Sequence, residues 1–272
     1  MTPRVDHGPP FDEDAAPVAP TTEFATAIEQ LGIAFEPGEL DLLARYLGFL
    51  ASANTRFNLT AVSDGPAMWM RHILDSATLL PVIASAEFDE HRKPLDIEPL
   101  QLLDVGSGGG LPGFPLAIAL PDVRVTLLEA TGKKVRFLEK VVEVLGLRNV
   151  RVVHARAEDA ARDREQHRER YDIVTSRALG PLATLVELTV PFARVGGLAL
   201  CIKGERAESE VIEAKAALHA LHAHALELLR TPTGTIVPIQ KMRATPKLYP
   251  RRPGEPKRTP LRGRTSREQF DD

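Results

Sequence analysis

Residues 104–113 read Asp-Val-Gly-Ser-Gly-Gly-Gly-Leu-Pro-Gly, which places five of the chain's 19 glycines within eight positions (Gly106, Gly108, Gly109, Gly110 and Gly113). Glycine tolerates φ > 0 and lets a ligand approach the backbone, at an entropic cost that an ordinary turn does not incur five times over. A dinucleotide fingerprint would ask for glycine at 106, 108 and 111, but position 111 is Leu. The spacing present suits a turn lying against a ligand without a pyrophosphate, with Asp104 offering a negative charge to an ammonium or sulfonium group. Glu129 follows 23 residues after Gly106, and a carboxylate there can accept both hydroxyls of a ribose. Further on, Ala157-Glu158 can offer a backbone N–H and a carboxylate to an adenine edge. Taken singly, each carboxylate could equally be a surface charge or a helix N-terminal charge. Taken in order, ribose, adenine and a cationic tail without phosphate describe S-adenosylmethionine. The five glycines are then read as clearing space for that methyl donor.

These residues need elements to hold them, and the chain supplies an alternation. QLLDV precedes the glycine run, RVTLLEA ends at the first carboxylate and VRVVHA leads to the second; YDIVTS, LALCIK and a late GTIVPIQ complete the set of β-rich runs. Between them lie helical stretches: LPGFPLAIAL, GKKVRFLEKVVEVLG, LATLVELTVPFA and ESEVIEAKAALHALHAHAL. Such alternation predicts an α/β fold, a doubly wound and mostly parallel Rossmann-like sheet with helices on both faces. Continuous apolar strands such as LALCI fit burial on both faces. Ligands of such sheets bind beyond the carboxyl ends of the strands, where the glycine loop falls. Upstream, FATAIEQLGI, ELDLLARYLGFLASANTRF and PAMWMRHILDSATLLPVIA carry helical periodicity. In the third, Met70, Ile73, Leu74, Ala77 and Leu80 fall on one face at 100° per residue, with Arg71 and Asp75 on the opposite stripe. The expected organisation is a disordered extension over 1–22, a helical cap over 23–93, a methyltransferase domain over 94–245 and a basic Pro-rich tail over 246–272.

Composition narrows the class. Of the 272 residues 43% are hydrophobic and 26% charged, the balance of a globular protein. The first 22 residues hold five prolines and four acids without an apolar core, neither a signal peptide nor a span. A cytoplasmic monomer away from membranes is expected. The single Cys201, in apolar LALCIK, excludes an internal disulfide and a Cys-rich zinc site, and no metal is expected. The formal charge of −3 hides an asymmetry: residues 241–267 carry ten Lys/Arg against Glu255 alone, +9, and the remainder is −12. Clustered cations on a proline-broken segment suit a polyanion such as RNA, whose counterions they release.

DVGSGGGLPGFPLAI, with upstream FNLTAV and RHILDS and downstream RAEDA, TSRAL and IKG, resembles the bacterial small-subunit rRNA methyltransferase family often called glucose-inhibited division protein B. The resemblance is densest over about 54–204, and LYPRRPGEPKRTPL is similar to the basic tail of some members. It implies S-adenosylmethionine-dependent methylation of N7 of guanine 527 in 16S rRNA of the small ribosomal subunit. It implies cofactor contacts at Gly106, Gly108 and Leu111, at Glu129, Ala130 and Thr131, at Ala157 and Glu158, and at Arg177. Arg71, His72, Asp75 and Lys203 match other family positions and are candidates for the RNA side. Arg71 and Asp75, at i and i+4, could instead pair on a solvated helix face, and His72 could be a packed or solvated histidine. One departure stands out: where the family's late strand usually begins with Arg, this chain has Gly234, and Pro238 interrupts the run, which suggests an edge strand or a bulge.

Guanine N7 has a free lone pair and no proton, so no general base is expected and the catalytic contribution is positioning. Two alternatives remain at this level: an S-adenosylmethionine enzyme acting on another RNA, a protein or a small molecule, and a non-catalytic RNA-binding assembly factor. The basic tail and helical cap argue against a small-molecule or protein substrate, and the intact Asp104, Gly106, Gly108, Glu129 and Glu158 against the assembly factor.

Overall fold

The alternating segments form one eight-stranded sheet in this computed structural model, which describes residues 9–87 and 99–261. Before the sheet come the helices α1 (Thr22–Gln30) and α2 (Pro37–Phe57). Thr21 Oγ1 caps α1 by accepting from Phe24 N at 3.1 Å. Glu36 and Glu39 form a capping box on α2, whose first residue is Pro37. Next, α3 (Gly65–Met68) runs into a π-helical turn (Trp69–Leu74), α4 (Asp75–Ala77) and then α5 (Leu80–Glu87). The π turn breaks the 100° spacing expected for this stretch. Burial is accordingly unbroken from His72 to Leu79 rather than confined to one stripe. Residues 88–93, the end of the expected cap, lie outside the described residues.

The extension expected to be disordered is ordered from residue 9. Phe11 is buried and stacks on Phe49, with its ring edge near Phe137. Val18 N donates to Ala44 O at 3.0 Å, and Trp69 Nε1 donates to Val18 O at 3.0 Å. The strap can cross α2 because position 48 is glycine: a Cβ there would stand 2.5 Å from Ala16 O. The prolines and acids of this segment masked one aromatic anchor and a backbone path with satisfied hydrogen bonds. Residues 1–8 lie outside the described residues.

The sheet follows as β1 (Gln101–Val105), α6 (Gly113–Ala119), β2 (Arg124–Glu129), α7 (Gly132–Leu145), β3 (Val150–His154), α8 (Ala157–Ala160), β4 (Tyr171–Arg177), α9 (Leu182–Thr189) and β5 (Ala193–Lys203). Then come α10 (Ala207–Glu213), α11 (Lys215–Ala220), β6 (Ala223–Ala225), β7 (Leu229–Thr231), β8 (Gly234–Lys241) and α12 (Glu255–Arg258). Strand order is β3-β2-β1-β4-β5-β8-β6, with β7 also paired to β8. Strands β1 to β5 pair parallel; β8 is antiparallel to its neighbours. The order reverses between β1 and β4, the switch point at which such sheets open a crevice. One apolar core fills the side of the sheet under α2, α6 and α7. A second packs α9 and α11 on the opposite face.

Two expectations change at the far edge. The helix anticipated through 226 ends at Ala220, and Ala223–Ala225 and Leu229–Thr231 become short strands because β8 offers them backbone partners. Strand β8 is interior rather than an edge strand. Pro238 is accommodated because its neighbour on that side breaks between β6 and β7. Leu226 N donates to Pro238 O there at 2.9 Å. At Gly234 a Cβ would stand 2.5 Å from Lys203 O, so the strands approach more closely than a side chain there would allow.

The basic tail, expected as a proline-broken segment beyond the methyltransferase domain, packs on the core through residue 261. Glu187, fully buried on α9, pairs with Arg251. Arg168 donates to the carbonyls of Tyr249 and Thr245, both at 2.9 Å. Proline did not exclude regular structure altogether, since Pro256 sits in the first turn of α12, where its missing N–H costs nothing; before that helix, Arg168 on the body satisfies carbonyls of the segment. Arg262, Arg264 and Arg267 lie outside the described residues. Among the described residues no helix is long and apolar enough to cross a membrane, and no group of three metal-ligating side chains occurs.

Candidate functional site

The loop after β1 turns back on itself at Gly106 and Gly108, with φ of +71° and +59°, where a side chain would be strained. It is stitched to the neighbouring strand: Gly106 N and Ser107 N both donate to Leu128 O, at 2.8 and 3.1 Å. A Cβ on Gly106 would collide with the Leu179 side chain. The other glycines serve packing, which corrects the reading that all five clear space for a ligand. A Cβ on Gly110 would run into Phe114, and one on Gly113 into Leu127. Tyr46 on α2 fixes the loop from below by donating to Gly109 O at 2.8 Å.

Asp104 does not face a ligand. It is fully buried beneath the loop, where its carboxylate accepts from Gly113 N at 3.2 Å and Thr175 Oγ1 at 3.3 Å. Burial pushes its carboxyl up to about 7, against the pull of those bonds and of Arg177. Its work is to lock the loop onto β4 and α6, and the expected sulfonium contact is withdrawn.

Glu129, at the end of β2, accepts from Gly108 N at 3.0 Å through Oε2 and from Thr131 N at 2.7 Å through Oε1. One bond per oxygen leaves each a further acceptor position for a hydroxyl. Ala130, Ala155 and Ala157 continue this wall. Thr131 and Glu158, named with them from the sequence, do not line the cleft: Thr131 contributes its N–H to Glu129, and Glu158 Oε1 accepts from Gly254 N at 2.7 Å.

The facing wall is made of side chains. Arg71, His72 and Asp75 come from the helical stretch around the π turn and Arg177 from the end of β4. Arg71 is exposed. Asp75 pairs not with Arg71 but with Arg177, Nε to Oδ2 at 3.2 Å, because the π turn carries Asp75 inward. Thr233 Oγ1 donates to Asp75 Oδ1 at 2.6 Å. Arg177 Nη2 lies 3.1 Å from His72 Nδ1, and His72 Nε2 lies 2.9 Å from Thr60 Oγ1. A guanidinium only donates, so Nδ1 accepts and the ring proton sits on Nε2, facing Thr60. Burial, reinforced by the Arg177 charge, pushes the His72 imidazole down to about 4 and keeps it neutral. Burial also raises the Asp75 carboxyl, while Arg177 and Thr233 oppose that rise. Arg177 Nη1 is buried without a hydrogen-bond partner among the described residues, an unused donor on a side chain that lines the cleft.

The two walls enclose about 940 Å³, with Leu111, Lys134 and Leu179 also in the lining. That is near the upper end of the roughly 300–1,000 Å³ of small-molecule sites. Of the residues named from the sequence, Gly106, Gly108, Leu111, Glu129, Ala130, Ala157 and Arg177 meet in this cleft with Arg71, His72 and Asp75. Lys203 does not: its ammonium donates to Gly180 O at 2.8 Å and pairs with Glu210 at 2.7 Å, tying β5 to the loop before α9. Its expected RNA contact is withdrawn. Sequence reasoning missed Tyr46, Thr60, Lys134 and Thr233. Tyr46 reads as one more apolar-stripe residue, and Thr233 lies 158 positions from its partner Asp75. Thr60 alone left a trace, inside FNLTAV.

The residues present fit S-adenosylmethionine: a left-handed backbone turn at Gly106 and Gly108 along the cleft, a carboxylate with open acceptor positions at Glu129, and an unpartnered guanidinium nitrogen at Arg177. A crystal structure assigned as an O-methyltransferase from Klebsiella pneumoniae superposes with a TM-score of 0.51 at 13% identity, covering 82% of this chain and 97% of its own, a likeness of fold. Curated proteins named ribosomal RNA small subunit methyltransferase G are similar over nearly their whole length. The one from Sorangium cellulosum is 42% identical, covering 87% of this chain and 94% of its own. That from Leuconostoc citreum is 37% identical, covering 88% and 98%; that from Roseiflexus castenholzii is 40% identical, covering 85% and 95%. The family model described as rRNA small subunit methyltransferase G matches residues 39–234. With its methyltransferase sheet, its glycine cradle and these relatives, the chain belongs to the rRNA small subunit methyltransferase G family.

Proposed function

We propose that this protein transfers a methyl group from S-adenosylmethionine to N7 of guanine 527 in 16S rRNA, acting as a cytoplasmic monomer on the small ribosomal subunit. One observation carries the reading: a backbone wall and a side-chain wall face each other across a single cleft at the sheet's switch point. Gly106, Gly108, Leu111, Glu129, Ala130, Ala157 and Arg177 would hold the cofactor, and Arg71, His72 and Asp75 would form the side that receives the base. S-adenosylmethionine supplies an electrophilic methyl group on a sulfonium. Guanine N7 offers its lone pair without losing a proton, so the chain's residues bind and orient and need not move one. Effective molarities of about 10⁵–10⁸ M are available from such positioning. Neutral His72 suits this task, because it holds Arg177 without adding a charge where the methylated base becomes cationic. Lys247, Arg252, Lys257 and Arg258, exposed on the docked C-terminal segment, are the candidates for phosphate contact.

The test is methyl transfer from tritiated S-adenosylmethionine to small subunits and to naked 16S rRNA, with the label mapped by nucleotide. Label at N7 of guanine 527 is expected. Label on another nucleotide, or none on either substrate, overturns the reading.

A further inference from the structure

The β7–β8 hairpin turns on two residues, Pro232 and Thr233, and both line the cleft. Its base is pinned twice: Gly234 N donates to Thr231 Oγ1 at 3.0 Å, and Gly234 presses on the Lys203 carbonyl where a side chain would not fit. The tip is thereby held against Asp75, and Thr233 Oγ1 donates to Asp75 Oδ1 at 2.6 Å. The other carboxylate oxygen, Oδ2, accepts from Arg177 Nε at 3.2 Å, while Arg177 Nη2 donates to His72 Nδ1 at 3.1 Å. A guanidinium presents Nε and Nη2 along one edge, spaced to take both oxygens of a single carboxylate. Here that edge is divided between Asp75 and His72, and Nη1 is buried without a partner among the described residues.

We propose that Thr233 is a positioning residue for Arg177: by occupying Oδ1 of Asp75 it keeps the Asp75–Arg177 pair to one oxygen, so that Nη2 stays with His72 and Nη1 stays available to the cofactor. This rests on the reading of Arg177 as a cofactor contact. Without the hydroxyl, the buried carboxylate holds an oxygen that has lost its donor, a state it relieves by turning both oxygens onto the guanidinium edge. Nη2 then leaves His72, the guanidinium plane rotates, and Nη1 loses its place. Thr233 acts through Asp75 and Arg177 and not on the methyl group.

The experiment measures S-adenosylmethionine affinity by calorimetry on the full chain for wild type, Thr233→Val, Thr233→Ser and Arg177→Lys. Valine keeps the shape of threonine without the donor, serine keeps the donor, and lysine keeps a charge for Asp75 without the guanidinium. Thr233→Val is expected to weaken binding by about tenfold, the worth of one hydrogen bond. Thr233→Ser is expected to stay within about threefold of wild type, and Arg177→Lys to lose at least as much as Thr233→Val. Should valine disturb the turn, Thr233→Ala removes the hydroxyl without a branched side chain and is expected to show the same loss. A wild type that binds no S-adenosylmethionine, or an Arg177→Lys that binds it as wild type does, refutes the Arg177 reading and the role of Thr233 with it. A weakened Arg177→Lys beside an unchanged Thr233→Val overturns the role of Thr233 alone. Equal losses in Thr233→Val and Thr233→Ser overturn it as well, since the hydroxyl would then not be what matters.

Discussion

The two walls of the cleft are built differently. On one side the lining is main chain: Gly106 and Gly108 in left-handed conformations, stitched to Leu128 and held by Glu129. On the other, one guanidinium joins side chains from three distant parts of the chain, His72 and Thr60, Asp75 and Thr233. The backbone wall has few ways to vary, which suits a cofactor of fixed shape. The side-chain wall has a hub, Arg177, whose loss releases every partner at once. The contrast separates what a short motif can specify from what must be assembled by folding.

Arg177→Ala should destabilise the fold by about 3–5 kcal/mol, because Asp75 stays buried without its countercharge, read as a lower urea midpoint. A loss below about 1 kcal/mol would make Arg177 a surface pair and dissolve the distinction between the walls. Next comes the backbone wall: Gly106→Val should cost about 1–3 kcal/mol in strain alone, besides its collision with Leu179. Calorimetry should find no S-adenosylmethionine binding; wild-type affinity in a folded variant would show the loop to be merely structural.

Glu129→Ala sharpens the comparison by testing whether one side chain governs the backbone wall. It should lower S-adenosylmethionine affinity by about 1.5–3 kcal/mol per lost charge-assisted bond. It should also lower the melting temperature, since Gly108 N and Thr131 N lose their acceptor. Unchanged affinity removes Glu129 from the site.

The smallest effect is a pH slope. His72 has a folded pKa of about 4, below its ordinary 6.5. The unfolded chain therefore binds the extra proton between those values, and stability is complete above about 6.5 and falls as pH drops toward 4. At pH 5.5 the loss should reach roughly 1–1.5 kcal/mol. Asp75 and Asp104, whose carboxyls burial raises, tilt the opposite way. The difference between wild type and His72→Gln isolates the histidine, and parallel stability–pH curves would show that His72 is solvated.

Much of this was legible in the residues. The run LALCI reads as a buried strand, since five consecutive apolar residues suit burial on both faces of a sheet, and β5 contains it. That the glycine loop and Glu129 meet at one cleft was legible because a left-handed turn and a strand-end acceptor are each supplied by one residue type. Local pattern misled where a distant partner decided. Asp104 sits in the motif yet is roofed over by Gly113 and Thr175, and Lys203 sits beside the site yet is held by Glu210. Ala223–Ala225 reads as helix until β8 offers it a ladder.

Strand–helix alternation and the left-handed glycine turn follow from the residues alone, because each is set by backbone freedom or by periodicity over a few positions. The tertiary structure alone decided which charges are free. The basic tail, read as a proline-broken segment suited to a polyanion, is docked by Arg251 on a carboxylate 64 residues away. Phe11 anchors a proline-rich strap, and a π turn carries Asp75 from the solvent stripe to Arg177, 102 positions on. A charge or an aromatic ring carries no mark of its partner in the local sequence, and its desolvation is settled only when the fold brings that partner within reach.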